Sequence, residues 1–172
     1  HTQPEIQDLC ILLRALAHLA DDTAWYAFLR APFYGLLLED LHTISQHSKG
    51  KPIWLSLSRY TTLPLSPDAL TRLSIIVPIM QSAIAQAGRM KYSDIILTLC
   101  STLNIHALYP SAKTQKNITD FISHLLEYET EHPLFSFENY QDELIKLYAG
   151  AQSMDANLHV MTIHKSKGLE FD

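Results

Sequence analysis

The spacing of the apolar residues is the feature that most constrains the fold of this chain. Leucine and isoleucine recur every three or four residues from Ile6 to Leu19, and similar spacing returns in later segments as far as Leu147. This spacing places apolar side chains on one face of an α-helix. Only 5 glycines and 8 prolines occur in 172 residues, which argues against a loop-dominated all-β protein. We therefore predict a mainly α fold.

Capping residues divide this pattern into separate helices. Pro4 suits the first position of a helix, and the helices are expected to end before Pro32, at Gly88 and at Gly150. Another helix is expected to begin at Ser93 or Asp94. Shorter helical pieces are expected at residues 36–46 and 53–58. The other predicted N-caps are Asp21, Ser66, Ser111 and Ser136.

Two further details follow from the helical pattern. Pro78 lies within the apolar helix that starts near Ser66, and is expected to kink or split that helix.

Cys10 and Cys100 both lie inside apolar helical patterns, which favours buried free thiols, with a single disulfide as the alternative.

The composition limits which partners are plausible. Hydrophobic residues make up 47% of the chain and charged residues 18%, as in a soluble globular protein. The formal charge of −5 excludes an overall basic footprint, so any contact with nucleic acid must be local. The local basic spots are residues 49–51 and the pair Lys113 and Lys116, which either contact phosphates or are simply solvated. The longest apolar run, SIIVPIM, is short, so we predict no membrane span and a cytoplasmic location.

The pattern changes after residue 150. Residues 151–157 are mostly small and polar, and residues 158–163 (LHVMTI) are rich in strand-forming residues without helical spacing. A lone strand cannot form a stable sheet by itself. We therefore predict a helical domain over residues 1–150, followed over residues 151–172 by a link, a strand and a loop of a different, sheet-containing domain. The chain is accordingly expected to be a fragment of a larger protein.

The loop after this predicted strand has residues suited to binding phosphate. Gly168 permits close approach of the backbone, and the carboxylate of Glu170 suits sugar hydroxyls. The loop is not a Walker A sequence, and a solvated polar loop is the alternative interpretation. The groups suited to phosphate are Thr162, His164, Lys165, Ser166 and Lys167.

Residues 162–171 (TIHKSKGLEF) resemble a late motif of the UvrD/Rep/RecB group of superfamily-one DNA helicases. The residues of this motif are especially similar to those of RecB- and AddA-type helicase–nucleases, the exonuclease V group. Residues 5–41 resemble the stretch that follows the fourth motif of that family, with Leu-Arg-Ala-Pro at residues 29–32 in place of its Leu-Arg-Ser-Pro turn. Between these two markers the family inserts a helical accessory subdomain, called 2B.

The resemblance implies roles only at the matched positions. Gly168 and Glu170 would belong to the nucleotide site. Asp172 replaces the proline that is common at that place in RecB-like sequences. Contacts with single-stranded DNA are implied for Thr162, His164, Lys165 and Lys167.

The resemblance also implies a fold and a function. The fold would be a multi-helix 2B-like subdomain whose C-terminal strand and loop re-enter a RecA-like α/β motor domain. The whole protein would be an ATP-dependent DNA helicase in recombinational repair, using ATP and Mg²⁺ and binding DNA and other helicase–nuclease subunits. The helical insertion would contact duplex DNA or a partner subunit, and the C-terminal loop would contribute to the cleft for ATP and single-stranded DNA. This chain lacks a phosphate loop, a Mg²⁺-binding acidic pair and an arginine finger, so we expect no cofactor and no ATP hydrolysis from it alone. The alternatives are a non-enzymatic helical interaction module and a plain UvrD-type repair helicase without a nuclease.

Other clusters have weaker patterns. The 9 histidines include no H-E-x-x-H arrangement, and no Cys-x-x-Cys occurs, so we predict no metal site. Ser166 and Lys167 form a nucleophile pair only if a surrounding oxyanion site exists. A group of carboxylates is either a solvated helix end or a nuclease centre, the first being favoured. Its members are Glu127, Glu129, Glu131, Asp142 and Glu143.

Overall fold

The structure is a computed structural model and describes residues 3–154. The helices are α1 (Pro4–Ala17), α2 (Asp22–Arg30), α3 (Leu38–Ser48), α4 (Ile53–Leu57), α5 (Pro67–Gln86), α6 (Tyr92–Thr102), α7 (Ile105–Leu108), α8 (Ala112–Glu131) and α9 (Phe137–Met154). A short 3₁₀ helix covers Tyr60–Thr62. No β-strand occurs within residues 3–154. The mainly α prediction is confirmed for these residues, whereas the predicted strand at residues 158–163 lies outside them.

Side-chain caps begin several of these helices, as predicted. The Asp21 carboxylate accepts from the N–H of Ala24 at 3.0 Å. The Ser66 hydroxyl accepts from Ala69 N–H at 3.1 Å and that of Ser111 from Thr114 N–H at 3.1 Å. Each cap satisfies a backbone donor that has no partner within its own helix. These boundaries are set locally, by residues within three positions of the helix start.

The start of α6 was predicted wrongly. The helix begins at Tyr92 with Lys91 as its N-cap residue, and the Lys91 side chain makes no capping bond. The carboxylate of Glu129, on α8, accepts instead from the N–H groups of Tyr92 and Ser93. A cap supplied from another helix carries no local signal in the sequence.

Two predicted interruptions do not end their helices. Helix α5 continues through Pro78, so the proline does not split it. Helix α9 continues through Gly150 to Met154 and covers the first residues of the predicted link. A glycine inside a helix costs only about 1 kcal/mol relative to alanine. The good helix formers Ala149 and Ala151 flank this glycine and make its inclusion inexpensive.

A single core holds the helices together around α1. Helix α1 packs against α2, α6, α8 and α9. Its predicted inward stripe is confirmed: Leu9, Leu12 and Leu13 are fully buried. On α8, Ile118, Phe121 and Leu125 are buried, whereas Leu126 is 43% exposed. The largest fully buried side chains include Trp25, Tyr140, Phe28 and Phe121.

Helices α3 and α4 form a smaller layer attached to this body. Helix α4 packs against α2 and α3, and the indole of Trp54 stacks on that of Trp25 with ring centroids 4.8 Å apart. The buried carboxylate of Asp40 accepts from the backbone N–H and the hydroxyl of Ser66, both at 2.8 Å. The start of α5 is thereby tied to α3.

Helix α5 combines length with an apolar composition. Among the helices of residues 3–154, it alone is long and apolar enough to cross a membrane, judged by length and composition. Its residues Leu73, Val77 and Met80 are nevertheless buried in the core. A core helix of a globular domain has the same properties.

Candidate functional site

The residues of the predicted phosphate-binding loop lie outside the part of the chain that the structure describes. They are Thr162, His164, Lys165, Ser166, Lys167, Gly168 and Glu170. Their roles therefore stay predictions from the sequence. The described residues contain a separate candidate site, built mainly by α3, α4 and the 3₁₀ turn.

This candidate site, the basic cleft, is an open cavity of about 290 Å³. It lies between the C-terminal end of α3 and the segment from Lys51 to Leu63. Cationic or ionisable nitrogen groups and hydroxyls dominate its polar lining, and no carboxylate lines it. The polar residues that line it are His47, Ser48, Lys51, Ser56, Ser58, Arg59 and Thr62.

The turn after α3 brings the two walls of the cleft together. Lys49 adopts a left-handed conformation with φ of 47°, and Gly50 follows with φ of 72°. This conformation ends α3 and reverses the chain, because it cannot continue a right-handed helix. The buried Ser48 hydroxyl donates to the Ile44 carbonyl at 2.9 Å and lies 3.1 Å from the Ser56 hydroxyl. Helices α3 and α4 are thereby held at a fixed separation.

The charge of the cleft is unbalanced. Residues 41–67 contain no aspartate or glutamate, although the whole chain has a formal charge of −5. Within residues 3–154, neither Lys51 nor Arg59 has an ion-pair partner. Both side chains are exposed and remain free to meet an anion from solution.

The other polar groups of the cleft are already oriented by backbone contacts. The Ser58 hydroxyl donates to the Leu55 carbonyl and the Thr62 hydroxyl to the Arg59 carbonyl, each at 2.9 Å. Nδ1 of His47 lies 2.8 Å from the Thr43 carbonyl, and because a carbonyl oxygen can only accept, this nitrogen carries the hydrogen. The hydroxyl protons of Ser58 and Thr62 are thus engaged, which leaves Lys51 and Arg59 as the main groups of the cleft that could meet an anion.

The second basic spot named from the sequence is partly neutralised. Lys116 lies 2.5 Å from the carboxylate of Asp120, one helical turn away on α8. Lys113 is exposed on the same helix and has no ion-pair partner among the described residues. A single uncompensated lysine on a helix is a poorer anion site than the two cations in the basic cleft.

One residue in the cluster of carboxylates on α8 and α9 has a structural role. Glu129 caps α6, whereas Glu127, Glu131 and Asp142 are exposed. Within the described part of the chain, no three or more His, Cys, Asp or Glu side chains are grouped so that they could hold a metal ion. The geometry therefore offers nothing that favours the nuclease interpretation of this group.

The two cysteines are free and protonated. Burial raises the pKa of both Cys10 and Cys100 to about 12. Since the thiolate is the reactive form of cysteine, neither thiol is prepared for nucleophilic chemistry near neutral pH. Both act as small apolar side chains within the helical body.

A polar contact between α1 and the region before and within α8 is also structural. The buried carboxylate of Glu5 accepts from the Asn117 side-chain amide at 2.5 Å, and the Tyr109 hydroxyl donates to Asp8. Burial raises the pKa of Asp8, an effect that the hydrogen bond from Tyr109 opposes and the charge of Glu5 reinforces. These groups join neighbouring helices.

No protein-family model and no curated protein sequence matches this chain. The family resemblance therefore rests on the residues quoted from the sequence. Sequence reasoning identified Lys49 and Lys51 but missed Arg59, which the fold brings to the same cleft. The absence of carboxylates over residues 41–67 was the signal that could have found it.

Proposed function

We propose that this chain is part of an ATP-dependent DNA helicase of the UvrD/RecB type, most similar to the RecB/AddA-like helicase–nucleases of the exonuclease V group. Residues 1–150 would form the 2B-like helical insertion, and residues 151–172 would return to the second motor domain. The observation that carries the proposal is the sequence TIHKSKGLEF at residues 162–171. It combines a hydroxyl, an imidazole and two lysines next to a glycine, which suits phosphate contacts at the exit of a strand.

The arrangement of the described helices supports this proposal. A subdomain inserted into a host domain must leave the host and return to it at neighbouring points. Helix α1 packs against α9, and His18 lies 2.9 Å from the carboxylate of Glu138 at the beginning of α9. The helices that bracket the insertion are therefore neighbours in the fold.

In the whole helicase, the matched residues would couple nucleotide binding to movement along DNA. Thr162 and His164 would contact the single-strand backbone, assisted by Lys165 and Lys167. Gly168 and Glu170 would border the nucleotide. ATP and Mg²⁺ would be held mainly by groups outside this sequence, since it contains no phosphate loop of the Walker A type.

A histidine substitution in the complete protein tests the proposal. His164→Ala should reduce DNA unwinding more than DNA-stimulated ATP hydrolysis. The substitution removes a contact that would connect the nucleotide site with the single-stranded DNA. His159→Ala, a neighbouring histidine outside the motif, is the matched control. Equal unwinding by His164→Ala and the parent protein would contradict the assigned role. The encoding gene offers a second check, since a phosphate loop should precede this sequence and a motif similar to Tyr-Val-Ala-x-Thr-Arg-Ala should follow it.

One observation favours a non-enzymatic interaction module as the second candidate. A mostly apolar groove of about 310 Å³ lies between α5 and α6, lined in part by Ile79, Ala83 and Leu99. Ile75 on α5 and Leu97 on α6 are 62% and 51% exposed. A gene without a phosphate loop would favour this module over the helicase. If the helicase is correct, nuclease activity of the whole protein separates the RecB-like type from the plain UvrD type.

A further inference from the structure

We propose that the basic cleft is a phosphate-binding site in which Lys51 and Arg59 supply the charge. This inference rests on the described residues and does not depend on the motif at residues 162–171. It identifies a site that is separate from the predicted nucleotide and single-strand contacts.

The first argument is the contrast between paired and unpaired cations. Arg14, Arg72 and Lys116 each lie within 2.6 Å of a carboxylate oxygen. Lys51 and Arg59 have no such partner within residues 3–154, and unlike the unpaired Lys113 and Arg89 they line the same cavity. Two neighbouring cations repel one another unless an anion lies between them. An anion from solution is the missing partner.

The second argument is the chemistry of the cleft. A guanidinium presents a rigid fork of donors that matches two oxygens of a phosphate, and an ammonium adds a compact positive charge. Both groups line one concave cavity of about 290 Å³, from which carboxylates are absent. The hydroxyls of Ser56 and Ser58 are part of the lining, which also includes the apolar side chains of Leu55 and Leu63.

The third argument is the form of the surface around the cleft. The cleft is open to solvent, and the exposed Lys49 lies next to it at the end of α3. A phosphate can therefore enter either as a free anion or as one link of a nucleic-acid backbone. Both sources offer the same oxygens to Lys51 and Arg59, and experiment can distinguish them.

The first arm of the test uses DNA. Fluorescence anisotropy of a labelled DNA duplex should be measured with the 172-residue chain across salt concentrations from about 50 to 200 mM. The double variant Lys51→Glu/Arg59→Glu should reduce the log–log salt slope by about 1.8, because each phosphate contact contributes about 0.9. Lys51→Gln/Arg59→Gln should act in the same direction without adding negative charge.

Arg89→Glu provides the matched control. Arg89 is exposed, undergoes the same change of charge and follows the far end of α5, a helix of 20 residues. That helix is about 30 Å long and begins close to the cleft, so Arg89 lies well away from it. Circular dichroism of all variants should match the parent, since both cleft cations are exposed.

The second arm uses inorganic phosphate and pyrophosphate, followed by backbone amide shifts in NMR spectra. Shifts confined to residues 47–63 that disappear in both double variants, without DNA binding, would support the site and assign it to a free phosphate. Loss of DNA binding together with loss of these shifts would support the site and assign it to a nucleic-acid backbone. Binding by the double variants equal to that of Arg89→Glu, or no binding of either ligand, would overturn the proposal.

Discussion

The helical body around α1 and the segment of residues 41–67 differ in the carboxylates available to pair with their cations. In the body, some charged groups pair with each other, as Arg14 does with Asp21 at 2.6 Å and His18 with Glu138 at 2.9 Å, whereas others such as Lys113 have no ion-pair partner among the described residues. In the segment, carboxylates are absent, and Lys51 and Arg59 have no acidic partner among the described residues. Both regions belong to one core, so the difference lies in their surfaces alone.

This difference indicates which charged groups of the molecule are open to a ligand. A paired charge already has a partner of opposite sign within the fold, although side chains such as those of Arg14 and Lys116 stay exposed to solvent. An unpaired charge on a concave surface remains available for binding. The following variants test whether the segment is held by apolar contacts and one boundary carboxylate, and whether the body depends on its polar pairs.

The largest effect is expected for the contact that attaches the segment to the body. Trp25→Ala removes a fully buried indole that stacks on Trp54 of α4. Loss of a buried Trp costs about 3–5 kcal/mol of unfolding free energy. Urea denaturation measures this loss. Trp54→Phe keeps an aromatic ring at the contact and should cost less than about 1.5 kcal/mol, and equal effects of the two variants would contradict the importance of Trp25.

The next effect concerns the carboxylate at the boundary of the segment. Asp40→Ala leaves the N–H and the hydroxyl of Ser66 without their acceptor. Hydrogen bonds to a charged group contribute about 1.5–3 kcal/mol, so the variant should unfold at a lower urea concentration. Glu39→Ala is the control, because the neighbouring Glu39 side chain is exposed. A similar loss in both variants would argue against the role of Asp40 as the acceptor for Ser66.

A smaller effect is expected within the body. Glu129→Ala removes the acceptor for the first N–H groups of α6 and should cost about 1–2 kcal/mol. The exposed Glu127 offers the matched control as Glu127→Ala. Thermal unfolding should show a lower midpoint for Glu129→Ala only. If both variants retained the parent midpoint, the cap on α6 would not contribute to stability.

The smallest effects are in the pH dependence of stability. Burial would raise the pKa of Asp21, but hydrogen bonds from Ala24 and Arg14 outweigh it and leave this pKa lowered. Its contribution is present above about pH 4 and is lost as pH falls through the lowered pKa. Asp21→Asn should therefore reduce stability at neutral pH by less than about 1 kcal/mol and flatten the acid dependence.

The contribution of Asp8 to the pH dependence of stability should have the opposite sign. Its pKa is raised, chiefly by burial, so the folded state binds its proton more tightly than the unfolded state. Ionised Asp8 costs stability near neutral pH, and that cost disappears as pH falls through the raised pKa. Asp8→Asn should give a small gain at neutral pH, measured as a higher unfolding midpoint. Parallel pH profiles for Asp8→Asn and Asp21→Asn would contradict these assignments.

The helices were predictable where their signals are local. Apolar spacing and the caps at Asp21, Ser66 and Ser111 depend on residues only a few positions apart. The start of α6 was not predictable, because Glu129 reaches it from 36 or 37 residues away. The continuation of α9 through Gly150 costs only about 1 kcal/mol relative to alanine, so the presence of a glycine does not by itself predict where the helix ends.

The candidate site was predictable only in part. Lys49 and Lys51 are separated only by Gly50 in the sequence and were recognised as a basic spot. Arg59 joins them because the turn at Gly50 and the helix α4 fold the chain back on itself. A pocket formed by non-adjacent residues has no signature in a single stretch of sequence. The motif residues from Thr162 to Glu170 remain predictions that the described residues do not test.

Helix α9 has a mechanical consequence. Its 18 residues extend about 27 Å and include residues 151–154 of the predicted link. A continuous helix resists bending more than a polar link does. Because α9 packs against α1, a rotation of the helical body would carry the described length of α9 with it as far as Met154.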